Sequence, residues 1–262
     1  MPRFAANLSM LFAEVPFLDR FAEAARAGFS AVEFQNPYSF PAIDIRSRLE
    51  THDLVAVQCN SPTGTRPGDN GLAALPGRED DFWTCFQQAL DYAYKIGCKR
   101  IRIVCGHTPR EDSRERMIQT LVDNLQRAAP LAATQGVLLL LEPLNQYDAP
   151  GYLLATTGEA IAVIDRVGCD NLMLQLDLYH CQRSEGDLSG HLRRLFGRYG
   201  HVQFSNSPGR HEPGVGEIHY PYLFALLDQL GYDGWVGCEY FPSTTSQESL
   251  NWAREWGIGS CN

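Results

Sequence analysis

Short apolar runs recur along the chain, separated by longer stretches in which apolar positions return every third or fourth residue. An unbroken run of about four to eight apolar residues is the mark of a strand buried on both faces, which an all-parallel sheet requires. Eight such runs are present: Phe4 to Leu8, Ala31 to Phe34, Leu54 to Cys59, Arg100 to Cys105, Val137 to Leu141, Leu172 to Leu176, His201 to Phe204 and Trp235 to Cys238. The intervening stretches read as amphipathic helices. One carries Phe17, Phe21, Ala24 and Ala25 and stops at Gly28, and another carries Ile118, Leu121, Val122, Leu125, Ala128, Ala129 and Ala132. Strand-then-helix order predicts parallel strands with helices outside, and eight repeats close a (β/α)₈ barrel. Gly28, Gly97, Gly136, Gly168, Gly200 and Gly231 each stand shortly before a run, where a left-handed helix cap calls for glycine. Residues 60–77, with three prolines and four glycines, have no helical period and predict a long loop after the third strand.

In such a barrel the working groups sit at the C-terminal ends of the strands, whose loops converge on one mouth. Four polar residues close apolar runs: Glu142 after Val137 to Leu141, Asp177 after Leu172 to Leu176, Gln203 after His201 and Val202, and Glu239 after Trp235 to Cys238. They are spaced about one strand–helix unit apart, which predicts consecutive strands, the fifth to the eighth. A carboxylate abutting an aliphatic run is costly unless it is paired or bound to a cation. Asp177 alone could equally be a helix N-cap, but clustered carboxylates repel one another unless a cation joins them. Three carboxylates and an amide oxygen form a hard, all-oxygen set, which suits one Mg²⁺ or Mn²⁺ ion better than Zn²⁺. His180, three residues beyond Asp177, and Arg210, in the turn-rich segment Ser207 to Gly214, are candidate substrate contacts. A packed histidine and a solvated arginine are the plainer readings. His107, after Cys105-Gly106, is placed to line the pocket, and Glu33 reads as a carboxylate supporting the site from behind.

The 262 residues match the roughly 250 of a typical barrel, so one domain, 1–262, is expected. A net charge of -9 disfavours nucleic acid and anionic membrane surfaces as partners. An acidic substrate would then need local positive charge in the pocket, from a metal ion and Arg210. The eight cysteines form no C-x-x-C pair and several lie inside apolar runs, as buried thiols of a reducing cytoplasm do. The N-terminal run is broken by Asn7 and Ser9, unlike a signal peptide, and no apolar stretch approaches the roughly 20 residues that cross a bilayer. A cytoplasmic enzyme is expected. Trp252 and Trp256 suggest either a homo-oligomer contact or a last helix packed on its own barrel.

Several segments resemble one known family: Arg3 to Phe12, Leu75 to Glu79, Leu141-Glu142-Pro143, Asp177 to His180, Arg210 to Gly214, Gly216-Glu217-Ile218 and Gly234 to Tyr240. Together they are similar to the bacterial hydroxypyruvate isomerases, a branch of the xylose-isomerase-like barrels that includes 2-oxo-tetronate isomerases, and the similarity spans nearly the whole chain. The resemblance implies an aldose–ketose type isomerase of a small hydroxy- or oxo-acid. It implies a metal on Glu142, Asp177, Gln203 and Glu239, with Glu142 and Glu239 as proton donor and acceptor. Related ketose 3-epimerases usually have histidine in place of Gln203. The chain departs from its relatives at Phe241, where lysine is common, and at Gln35-Asn36, where apolar residues prevail; both bear on the substrate. Two other readings are a metal-dependent endonuclease, which would want a histidine-rich cluster and a basic face, and a non-catalytic sugar-acid binder.

Overall fold

The computed structural model describes residues 1–108 and 113–259. Eight strands, β1 (Arg3–Asn7), β2 (Ala31–Phe34), β3 (Val55–Asn60), β4 (Arg100–Arg102), β5 (Leu138–Leu141), β6 (Leu172–Asp177), β7 (Tyr199–Phe204) and β8 (Trp235–Cys238), pair in parallel in chain order. β8 returns to β1, matching Phe4 with Val236 and Ala6 with Cys238, so no sheet edge remains. The helices between them are α1 (Arg20–Arg26), α2 (Ala42–Thr51), α3 (Glu79–Ile96), α4 (Arg114–Thr134), α5 (Thr157–Val167), α6 (Leu178–Ser184), α7 (Leu188–Arg194) and α8 (Tyr220–Leu230). The short α9 (Ser246–Ser249) and a 3-10 segment, Leu250–Trp256, close the described chain.

The expected strands are all present, and β4 is shorter than its apolar run. Ile103 still donates its N–H to the Leu140 carbonyl at 2.9 Å, and beyond it the chain leaves the sheet: the Val104 N–H bonds the Ser61 hydroxyl at 3.2 Å and the Cys105 N–H bonds the Tyr152 hydroxyl at 3.0 Å. Side chains of neighbouring loops thus replace the ladder, and the strand ends on an arginine.

Of the glycines expected as helix stops, Gly97, Gly168 and Gly231 are left-handed C-caps of α3, α5 and α8. Gly200 is not a cap. It lies inside β7, at an irregularity where Leu174 faces Tyr199 but Gln175 faces His201, which makes it the extra residue of a bulge. A Cβ there would stand 2.4 Å from Leu138 Cδ2, so the residue is small for packing.

The long loop after β3 is held rather than loose. Leu72, Ala73 and Ala74 are buried, Asn124 of α4 donates to the Ala73 carbonyl at 2.8 Å, and Arg78 pairs with Asp69 at 2.8 Å and also with Asp81. Phe4 and Phe204 point outward and meet Phe224 of α8 at 5.0 and 5.2 Å between ring centroids. Trp252 and Trp256 join this cluster, 5.1 and 5.3 Å from Phe4, so the C-terminal aromatics pack on their own barrel. The seven described cysteines are free thiols, and Cys261 lies outside the described residues. No helix among the described residues is long and apolar enough to cross a membrane.

Candidate active site

β5, β6 and β8 deliver Glu142, Asp177 and Glu239 to the C-terminal mouth, where all three are buried. Asp177 is at once the last residue of β6 and the N-cap of α6: its Oδ1 accepts the Tyr179 N–H at 2.8 Å. The other oxygen, Oδ2, is buried with no protein hydrogen-bond donor, and so is Glu142 Oε1. Glu142, Asp177 and His180 present ligand atoms within 4.8 Å of one another. Two orphaned carboxylate oxygens in so small a space fit a divalent cation.

Two guanidiniums face these carboxylates. Arg102, at the end of β4, brings Nε to 2.5 Å from Glu142 Oε2. Arg210 donates from Nη2 to Glu239 Oε2 at 2.7 Å and lies 3.6 Å from Asp177 Oδ2. The backbone of Phe241 fixes that arginine's loop: its N–H donates to the Arg210 carbonyl at 2.8 Å, and its carbonyl lies 2.8 Å from His211 Nδ1. Glu239 Oε1 accepts from Gln35 Nε2 at 2.9 Å and Asn7 Nδ2 at 3.3 Å. Gln35 is therefore a direct partner of a candidate acid/base group.

Burial dominates the electrostatics. It pushes the Glu142 carboxyl up to about 7 against the pull of Arg102, with Glu239 adding to the rise. It likewise raises Asp177 well above the usual carboxylate range, against the pull of Arg210. His180 is held well below its ordinary value by burial, and then by Arg210 and Arg102. Its Nδ1 accepts the Asn145 N–H at 3.1 Å, so the neutral ring carries its proton on Nε2, which faces Asp177 Oδ2 at 3.7 Å.

Gln203 stands opposite Asp177 in the register of β6 and β7. Its Oε1 accepts from Gln175 Nε2 at 2.5 Å and its Nε2 donates to Glu33 Oε1 at 2.6 Å. Glu33 is fully buried; it also accepts from Asn7 at 2.9 Å and contacts His201 Nε2 at 2.6 Å. Gly237 makes this possible, since a Cβ there would stand 2.4 Å from Glu33 Oε1. Glu33 thus supports the site through Asn7, which bridges to Glu239. His107 sits at the rim, bridged to Tyr152 with the rings edge-on at 5.5 Å, outside the carboxylate group.

The structure brings Glu142, Asp177, His180, Arg210 and Glu239 together, with Gln203 opposite Asp177 and its amide bonded to Gln175 and Glu33. Sequence reasoning missed Arg102, Asn7, Gln175 and His201. For Arg102 a signal existed: Arg100-Ile101-Arg102 alternates, and a charge repeated at period two marks one strand face.

Residues 21–256 match the family described as Xylose isomerase-like TIM barrel. A 2-oxo-tetronate isomerase of Cupriavidus necator is 48% identical over 98% of this chain and 99% of its own length. A hydroxypyruvate isomerase of Escherichia coli is 44% identical over 96% and 98%. Among solved structures, one described as an AP endonuclease, family 2, from Brucella melitensis superposes with a TM-score of 0.95 at 43% identity, covering 98% of this chain and 99% of that one.

Proposed function

Given that the chain belongs to the xylose isomerase-like TIM barrel family and is an isomerase of it, we propose that it interconverts hydroxypyruvate and tartronate semialdehyde through a cis-enediol. The observation that carries the reading is the pair Glu142 and Glu239. They are buried carboxylates directly after strands β5 and β8, which stand three strands apart around one mouth, with Asp177 of β6 between them.

The reaction moves one hydrogen between adjacent carbons and exchanges a carbonyl for a hydroxyl. One glutamate takes the proton from the carbon beside the carbonyl, and the other returns a proton to the neighbouring carbon. Each step of this kind contributes about 10²- to 10⁴-fold. Glu142, Asp177 and Glu239, with the Gln203 amide oxygen in place of its contact with Gln175, would hold one Mg²⁺ or Mn²⁺. That ion would supply positive charge where the negative charge of the enediolate develops. His180 offers its Nε2–H to a substrate oxygen, Arg210 adds positive charge and a free Nε–H, and His107 lines the approach.

A second substrate, 2-oxo-tetronate, is one carbon longer and needs the same enediol; the 48% identity to the Cupriavidus enzyme favours it specifically. A ketose 3-epimerase would use the same groups on a longer sugar. The endonuclease reading fits poorly with a net charge of -9.

The test is Glu142→Gln and Glu239→Gln, assayed for turnover and for solvent deuterium entering the substrate. Chelated enzyme should receive Mg²⁺ or Mn²⁺ back, and hydroxypyruvate, 2-oxo-tetronate and ketoses should be compared side by side. Each variant is expected to lose about 10²- to 10⁴-fold in rate. Exchange and turnover near wild type in both would rule out the two-glutamate relay.

A further inference from the structure

The acid end of a short oxo-acid is bonded directly to a reacting carbon. Whatever holds the carboxylate must therefore adjoin one of the two proton-transfer groups. Arg102 does: it is buried at the end of β4 with Nε 2.5 Å from Glu142 Oε2. Its donors are underused. Nη2 is buried with no acceptor, and Nε, despite its closeness to Glu142, is not aligned with one. A buried guanidinium with open N–H groups is costly, and a planar acid that meets two parallel N–H groups is its natural complement. Arg210 is differently placed. Its Nη2 is already held by Glu239 and lies close to Asp177, and its backbone sits in a loop at φ 57 rather than at a strand end.

We propose that Arg102 is the anchor for the substrate's carboxylate and makes the mouth selective for short oxo- and hydroxy-acids over neutral sugars of the same size. The proposal rests on the isomerase reading above and deepens it. A guanidinium keeps its charge at any ordinary pH, so Arg102 remains a cationic donor. Four carboxylates, Glu33, Glu142, Asp177 and Glu239, surround two guanidiniums in the described site, so an anionic substrate enters a region that is not positive as a whole. A fixed donor fork at the site of docking meets that need locally.

The experiment compares binding of glycerate and of glyceramide, its uncharged amide, by calorimetry in Mg²⁺ buffer, for wild type, Arg102→Gln and Arg102→Lys. Wild type should prefer glycerate, and Arg102→Gln should shrink that preference about 10- to 100-fold, the worth of a hydrogen bond to a charged group. Arg102→Lys, which keeps the charge but loses the fork, should recover part of it and covers the case in which the glutamine variant does not fold. An unchanged preference in the variants, or equal weakening of both ligands, overturns the anchor and leaves Arg102 as a positioning partner of Glu142. Hydroxypyruvate turnover by wild type separates the two claims. Turnover with unchanged preference sinks the anchor alone, whereas an Arg102-dependent preference without isomerisation of any tested acid sinks the isomerase reading and keeps the acid site.

Discussion

Phe4 and Asn7 are three residues apart on β1 and belong to different interiors. Phe4 faces the annulus between strands and helices, where Phe204, Phe224, Trp252 and Trp256 pack ring against ring. Asn7 faces the bore, where it joins Glu33 to Glu239. Barrels of this kind usually fill the bore with layers of Val, Ile and Leu. Here only its lower end is apolar, with Ala5, Ala31 and Val57 packed under Trp235. Above them, Glu33, Gln175, His201 and Gln203 form a hydrogen-bonded layer. The annulus excludes water and supplies stability; the bore uses that stability to keep charged groups in fixed positions where water would otherwise screen them.

Cutting into the annulus should have the largest effect. Phe224→Ala removes a ring that touches Phe4, Phe204 and Trp252, and is expected to cost about 3–5 kcal/mol in urea unfolding while the folded fraction keeps its turnover number. A loss below about 1 kcal/mol, that of an average substitution, would move the seat of stability elsewhere. Gly237→Ala attacks the bore instead, pushing the Glu33 carboxylate off its partners. Its turnover should fall about 10- to 100-fold through misplaced glutamates. Thermal unfolding should shift little by comparison, and the reverse ranking would contradict a bore that serves position.

A helix start lies outside both interiors. Thr156 caps α5 in a reciprocal box with Glu159, so Thr156→Ala should cost about 1 kcal/mol with activity unchanged, as chemical denaturation and steady-state rates would report. The smallest effect is expected at the surface pair of the long loop. Hydrogen bonding to Arg78 holds Asp69 down to about 2. A depressed carboxylate stabilises the fold above its unfolded value near 3.9 and loses that contribution as pH falls through the folded value. The melting-temperature gap between wild type and Arg78→Gln should therefore be widest above about pH 4 and close towards about pH 2. A gap independent of pH would mean that Arg78 acts through packing alone.

The annulus was the more legible of the two interiors. Strands buried on both faces read as apolar runs, and Glu142, Asp177 and Glu239 stood out because each terminates one. Residues inside the bore were hidden for the same reason: Asn7 and Gln175 interrupt apolar runs and look like blemishes until the alternation is assigned a direction. The bulge at Gly200 shifts the register of β7, so counting by twos from Tyr199 puts His201 on the wrong face, whereas Gln203 stood out by following His201 and Val202. Arg102 was obscured because the apolar run continues past the point where the sheet stops, and only loop hydrogen bonds from Ser61 and Tyr152 mark that end.

Asp177 leaves little latitude at its position. One oxygen is committed to starting α6 and the other to the mouth, so the side chain must be short enough to cap and must bear two acceptors on a single carbon. Glutamate carries its acceptors one methylene too far from the chain, and serine has only one oxygen to divide. Asparagine would still start the helix but would offer the mouth an amide group in place of the anionic oxygen. Any lineage that reshapes this chemistry for a new substrate will therefore find it easier to alter the surrounding loops than to move this carboxylate.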